Sequence, residues 1–393
     1  MSAGPTAIRP GKLGITKLIG LHYYVHDLER SRRFYVDRLD FAELGRSSPD
    51  LEKSGKQRSL VFGAGDIRIA CSQPIGEGGR AHRYLQKHPD GVGTVAFEVE
   101  DIKHTFDVLE ANGGTPISDV QHYEDELGEL DTFSITTPFG GTTFRFMERH
   151  GYRGLFPGME VYGEPKGGGN AFGFTHIDHL TSNFETMAPA LLWLEHVLGF
   201  TQLWEVAFHT QDVKVGKGAP KDHGSGLRSK VMWEPASGIK LANNEPVRPM
   251  FKASQINVFY EEQRGDGIQH AALATRDILA TVSGLRQRGV QLMPTPKTYY
   301  EMLPDRLREL GVTLGERIED LQSLEILVDG AGPGKYLLQI FLKDSAGLYA
   351  DKAAGPFFYE IIQRKGDEGF GAGNFRALFE SIEREQAQKK GGD

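Results

Sequence analysis

The stretch Gly355–Glu385, GPFFYEIIQRKGDEGFGAGNFRALFESIERE, decides how the rest of the chain is read. It opens on the apolar run Phe357, Phe358 and Tyr359, passes through Glu360, and returns to Ile361 and Ile362. That is the pattern of a buried strand with one carboxylate in its middle. An ionised carboxylate among apolar neighbours is costly unless a cation meets it. Arg364 is one candidate partner and a metal ion is the other. Two further segments carry ligands of the right type: FTHIDHLTSN, with His179, and GDGIQHAALATRDI, with His270.

These segments belong to an internal repeat. LIGLHYYVHDL reads as a strand and ERSRRFYVDRLDFAELG as the helix after it, with "LDF" within it; the second half repeats strand, helix and "LGF". DGVGTVAFEVEDIKHTFDVLEANGG is echoed by GDGIQHAALATRDILATVSGLRQRGV: Asp-Gly before a strand, Asp-Ile opening a helix, Gly closing it. A hairpin around Pro138 in the first half matches YLLQIF and the Glu360 strand in the second. A repeat of this length means duplicated domains rather than short stacked units. The expected fold is α+β, with tandem βαβββ modules. The expected boundaries are a flexible arm over 1–17, a first module over 18–156, a Gly- and Pro-rich linker over 157–170, and a second module over 171–393. By-eye alignment sets His22 opposite His179, Thr94 opposite His270 and Arg145 opposite Glu360. Only the second half then keeps a full ligand set, and the first is expected to support it structurally.

Composition narrows the class. The chain has 393 residues, 39% hydrophobic and 25% charged, with a net charge of −8. This is a soluble, acidic globular composition, without the basic patch of a nucleic-acid binder. No apolar run approaches a membrane span. The N-terminus lacks the apolar core of a signal peptide. The single cysteine, Cys71, allows no internal disulfide and suits a cytoplasmic setting.

Two histidines and one carboxylate from separate strands make the facial triad expected of non-haem Fe(II) oxygenases, which leaves one side of the ion open. The same three ligands also suit Zn, so the residue types point to a metal more firmly than to iron. His176, three residues before His179 on a strand, is expected to face away and to be structural. Each histidine taken alone reads more readily as a satisfied polar residue. A metal-free protein that kept the duplicated fold, and Zn-dependent isomerase or lyase chemistry, are the alternatives from other classes.

The motifs IDHLTSN, SQIN, GIQHAAL, TPKTYYEML, YLLQIF, FFYEIIQR and GFGAGNFRALFESIEREQ, in this order, resemble the 4-hydroxyphenylpyruvate dioxygenase family of the vicinal-oxygen-chelate superfamily. They span nearly all of the second half. The resemblance implies one Fe(II) per chain, held by His179, His270 and Glu360. It implies polar pocket residues at Ser229, Asn244, Gln255 and Gln269, and a pocket wall of Gln339, Phe341 and Phe358. It also implies a closing segment with Phe370, Asn374, Phe375 and Phe379, whose helix over about 373–388 acts as a lid hinged at Gly369, Gly371 and Gly373. Structural hydrogen bonding for Ser229 and Asn244, and plain core packing for the phenylalanines, stay open beside these roles. The implied partners are an arylpyruvate and O2, and the implied assembly is a homo-oligomer, dimer or tetramer. The implied reaction is oxidative decarboxylation with ring hydroxylation and side-chain migration to homogentisate, in tyrosine and phenylalanine catabolism. Hydroxymandelate synthase, which hydroxylates the benzylic carbon of the same substrate, is the alternative. Two departures stand out: IFLKDSAGLYADKAAGPFF is longer than the family's usual loop, and Asn257 replaces a frequent Gln.

Overall fold

A computed structural model describes residues 13–209, 226–247, 252, 254–371 and 373–374. The first half contributes β1 (Ile15–Tyr24), β2 (Ala42–Ser47), β3 (Gln57–Ala64), β4 (Ile67–Pro74), β5 (Gly91–Val99), β6 (Gln121–Asp125), β7 (Gly128–Thr136), β8 (Thr143–His150) and β9 (Met159–Gly167). The second contributes β10 (Phe174–Asn183), β11 (Thr201–His209), β12 (Gly226–Glu234), β13 (Ile239–Pro246), β14 (Gly267–Thr275), β15 (Leu327–Gly330), β16 (Tyr336–Phe341) and β17 (Phe358–Lys365). The sheet orders are β6-β7-β8-β5-β1-β4-β3-β2-β9 and β15-β16-β17-β14-β10-β13-β12-β11. Apart from β9 the two orders correspond strand for strand. The repeat in the sequence is therefore a repeat of α+β topology.

The matched motifs fold for matched reasons. The Asp101 carboxylate accepts from His104 N at 2.8 Å and opens the helix Ile102–Ala111. The Asp277 carboxylate accepts from Ala280 N at 3.1 Å and opens Ile278–Gln287. Both are side-chain N-caps. Gly113 and Gly289 follow the two helices in left-handed conformation, at φ 85° and 73°. The "LDF" and "LGF" turns also need positive φ, at Asp40 (59°) and Gly199 (71°). Asp40 adopts it without being glycine because its side chain is held on several sides. Its Oδ2 accepts from Ala171 N at 2.6 Å, and its Oδ1 meets the Arg288 guanidinium at 2.8 Å.

Three expectations are corrected. The arm does not run to residue 17: Leu13 and Ile15 are buried and β1 starts at Ile15, a strand beginning masked in the sequence by Thr16 and Lys17. The segment expected as a linker over 157–170 is largely β9, paired antiparallel with β2 from Ser47↔Met159 to Ala42↔Gly167. It lies at the sheet edge, where Pro165 and the glycines are tolerated because one side of the strand needs no donors. The helix after β1, expected to run on through AELG, is α-helical over Leu28–Arg32 and π-helical over Arg33–Arg38 and stops there, with Leu39 N donating to Phe34 O at 3.0 Å; Asp40 turns the chain and Ala42 opens β2.

The halves share one core. Phe139 meets Phe184 edge-on at 5.2 Å, and Phe41 meets Phe174 at 5.6 Å. The hydroxyls of Tyr23 and Tyr35 lie 3.0 and 2.8 Å from the Tyr359 hydroxyl. Tyr359 precedes Glu360 on β17, and alternation turns the two side chains to opposite faces. The first half thus grips the strand that carries the carboxylate. No helix among the described residues is long and apolar enough to cross a membrane.

Candidate metal centre

β10, β14 and β17 are consecutive neighbours in the second sheet. His179 pairs with Ala272, and Ala272 pairs with Glu360, so the three form one row across the strands. His270 stands two residues before Ala272 on β14, on the same face. Ala272 contributes only a methyl between two ligands. His179 Nε2 and His270 Nε2 each lie 3.4 Å from Glu360 Oε2. The three ligand atoms are all within 4.8 Å of one another, and all three residues are buried. Two ligands about 2.1 Å from an ion and at right angles are about 3 Å apart, so the spacing suits adjacent corners of one coordination sphere. Among the described residues Glu360 Oε1 is buried without a hydrogen-bond partner, a costly state for a carboxylate oxygen unless a cation faces it.

The surroundings tune each ligand. Burial pushes the Glu360 carboxyl up, but His179 and then His270 hold it down to about 2. Burial pulls the His179 ring down; Glu360 and the Asp178 carboxylate outweigh it and raise the ring to about 8. At His270 burial prevails over the pull of Glu360, and the pKa falls below the ordinary value. His179 Nδ1 meets Asp178 Oδ1 at 2.8 Å, and His270 Nδ1 meets Gln269 Oε1 at 3.1 Å. Both rings therefore turn Nε2 toward the shared centre, as orienting partners do in metal sites. Asp178 is held in turn by Arg364, with Nε and Nη2 each donating at 2.7 Å. Despite its own burial, its carboxyl lies far below the usual range because Arg364 and His179 both donate to it.

The remaining expected residues fall in three groups. Phe358 stacks on the His270 ring at 4.8 Å and 21°, Phe341 meets that ring edge-on at 6.0 Å, and Phe370 meets His179 edge-on at 5.0 Å. These three, with Gln269, line the triad. Gln339 is buried on β16, and the Gly371 backbone lies against its amide: an added Cβ there would be 2.5 Å from Oε1. Ser229 and Asn244 are buried partners across β12 and β13, and Asn244 Nδ2 donates to Asn183 Oδ1 at 3.0 Å. Gln255 is exposed, at the first turn of the helix Gln255–Gln263. Asn374 is buried, and its Oδ1 accepts from Tyr299 at 2.8 Å and Arg306 at 3.1 Å. Phe375, Phe379 and nearly all of the expected lid helix lie outside the described residues. His176 is exposed and stands apart from the triad.

Sequence reasoning missed Asp178 and gave Arg364 the wrong partner. Strict alternation would send Asp178 to the face opposite His179. A register shift between Ile177 and His179 breaks that alternation. The same irregularity occurs in β1 between Leu18 and Gly20. It corrects the alignment: with Ala96 paired to Arg145 as Ala272 is to Glu360, the residue opposite His179 is Gly20, not His22. His22 corresponds to Thr181. The first-half counterparts of the triad are Gly20, Thr94 and Arg145, and none of them is a metal ligand.

Comparison with known proteins agrees with this geometry. Residues 17–146 and 176–302 match the glyoxalase/bleomycin resistance protein/dioxygenase superfamily. The chain is 36% identical to the 4-hydroxyphenylpyruvate dioxygenase of Yarrowia lipolytica, over 94% of this chain and 92% of that one. It is 34% identical to that of Dictyostelium discoideum, over 93% and 96%. It is also 34% identical to that of Pseudomonas aeruginosa, over 86% and 87%. Among solved structures, a variant of 4-hydroxymandelate synthase from Streptomyces coelicolor superposes with a TM-score of 0.75 at 23% identity, covering 95% of this chain and 99% of that one; at that identity the likeness speaks for the fold. With that topology and these relatives in agreement, the chain belongs to the 4-hydroxyphenylpyruvate dioxygenase family.

Proposed function

We propose that His179, His270 and Glu360 hold one Fe(II), and that the chain converts 4-hydroxyphenylpyruvate and O2 to homogentisate and CO2. The observation that carries the metal reading is the orphaned, buried Oε1 of Glu360 beside two imidazoles already aimed at the same centre. Neutral imidazole and carboxylate are ligands that suit Fe(II). When bound, the ion supplies a Lewis-acidic, redox-active centre with open positions for a 2-oxo acid and for O2.

The chain's own residues do the rest. Phe358, Phe341 and Phe370 offer apolar faces beside the ligands and keep water from the reacting carbon. Gln269 meets the His270 ring through its Oε1, beside the ligands, where it orients the substrate. Ser229, Asn244, Gln255 and Gln339 are the further polar positions for the ring hydroxyl and the oxo acid. Arg364 and Asp178 fix the His179 ring, and the tyrosine trio fixes β17. Asn374, anchored by Tyr299 and Arg306, starts the segment that closes over the substrate, together with Phe375 and Phe379.

The test is O2 consumption with 4-hydroxyphenylpyruvate, with and without added Fe(II), followed by product chromatography. Iron-dependent uptake and homogentisate are expected. Hydroxymandelate as product would overturn the ring chemistry; turnover without O2 would overturn the oxygenase reading. A cytoplasmic setting suits the buried free thiol of Cys71. Light scattering is expected to read a multiple of the 43.5 kDa chain mass, as the implied homo-oligomer requires.

A further inference from the structure

The first half keeps a cavity of about 240 Å³ at the place where the second half has its metal pocket. Its wall includes Arg145, Ser134 and Thr132. Their pairing across β7 and β8 is that of Glu360, Phe341 and Gln339 across β16 and β17. The carboxylate that would face a cation has become a guanidinium. Arg80 faces the same cavity, and among the described residues no Asp or Glu lines it.

Neither arginine has a carboxylate partner among the described residues. The Arg145 side chain donates from Nε to Ser134 Oγ at 3.3 Å and lies over the Phe156 ring at 4.7 Å. Arg80 donates to the carbonyls of Gly93 and Gly141 and lies over Tyr24 at 5.6 Å. On the same wall His22 is buried; its Nε2 engages Ser72 Oγ at 2.6 Å, and its Nδ1 has no partner among the described residues. Two cations sharing one recess repel each other and carry a desolvation cost that only an anion offsets. The rest of the wall mixes aromatic faces, Phe156, Tyr24 and Tyr123, with the amides of Gln57 and Gln121 and the hydroxyls of the rim. Flat faces beside a guanidinium suit a ring that carries a carboxylate.

We propose that the first-half cavity binds a small aromatic carboxylate, paired with Arg145 and Arg80. The duplicated pocket has then exchanged a cation site for an anion site. This assignment does not depend on the iron reading, since the two pockets are built from different strands.

Equilibrium dialysis of radiolabelled phenylacetate against the metal-loaded full chain tests it. Phenylacetate has no 2-oxo group and so lacks the chelating pair of the proposed substrate. We expect a saturable site whose affinity falls roughly tenfold or more in Arg145→Gln. Ser118→Trp is expected to do the same, because Ser118 is exposed at the rim of the cavity and an indole there blocks entry without touching buried charge. The site persists in Glu360→Ala. Unchanged binding in a folded Arg145→Gln and in Ser118→Trp overturns the proposal, as does loss of binding in Glu360→Ala alone. If Arg145→Gln does not fold, Ser118→Trp decides. Equal displacement by inorganic phosphate overturns the aromatic carboxylate as the occupant.

Discussion

The row Gly20–Ala96–Arg145 and the row His179–Ala272–Glu360 occupy the same place in two copies of one topology. In both, the central residue is a buried alanine, and in both the first strand shifts register just before its contribution. The frame is therefore common, and the chemistry differs only in what the frame presents. In the second half two imidazoles surround a carboxylate. In the first the corresponding residues are a glycine, a threonine and a cation. A sheet of this kind can preserve its register while reversing the charge of its pocket.

The comparison breaks first at the ligands. His179→Ala, His270→Ala and Glu360→Ala are each expected to lower bound metal and turnover by about a thousandfold or more, while His22→Ala and His176→Ala keep both near the parent level. Metal content by elemental analysis and initial rates decide this. Comparable losses from His22→Ala would put the site in the wrong half. Next comes the support of the ligands. Asp178→Asn removes the negative charge that holds His179 and takes the ion pair from Arg364, and metal affinity is expected to fall about 10- to 100-fold. A titration with a competing chelator measures it.

The first half is expected to resist conversion into a second metal site. A Cβ at Gly20 would sit 2.2 Å from the carbonyl oxygen of Arg68, in a neighbouring strand. Gly20→Ala is therefore expected to cost about 1–3 kcal/mol in urea unfolding, and Gly20→His more. Unchanged stability in Gly20→Ala would show that β1 and β4 can part at no cost.

The smallest expected effect is that of pH on the metal-free chain. The His179 pKa of about 8 when folded exceeds its ordinary 6.5. The protonated ring thus stabilises the fold fully below about pH 6.5, and this contribution is lost as pH rises through 8. The amount is about 2 kcal/mol, read as a falling urea midpoint. Glu360, held at about 2, contributes above its ordinary 4.5 and loses that contribution only as pH falls toward 2. Metal binding needs the neutral His179 ring, so metal affinity is expected to rise with pH up to about 8. A urea midpoint flat between pH 6 and 9 would deny the coupling of His179 to Glu360.

Much of this was legible in the chain itself. The Asp-Ile caps, the glycine stops and the isolated Glu360 carry local signals that folding leaves intact, and they sufficed for the repeat and for the three side chains that meet at one centre. What escaped depends on pairing between strands. The register shift beside His179 hid Asp178 and displaced His22 by two places, because a bulge has no residue type of its own. β9 looked like a linker because an edge strand and a linker accept the same prolines and glycines. Tyr359 read only as apolar, since its role comes from Tyr23 and Tyr35, more than three hundred positions earlier in the chain.

The clamp at Asp40 has a consequence in time. Its left-handed turn is held by Ala171, 131 residues later, and by Arg288, 248 residues later. During synthesis the leading module leaves the ribosome with those acceptors unmet and the Tyr35 hydroxyl unanswered. Its last packing step waits for the trailing module, so the two mature together as one cooperative unit.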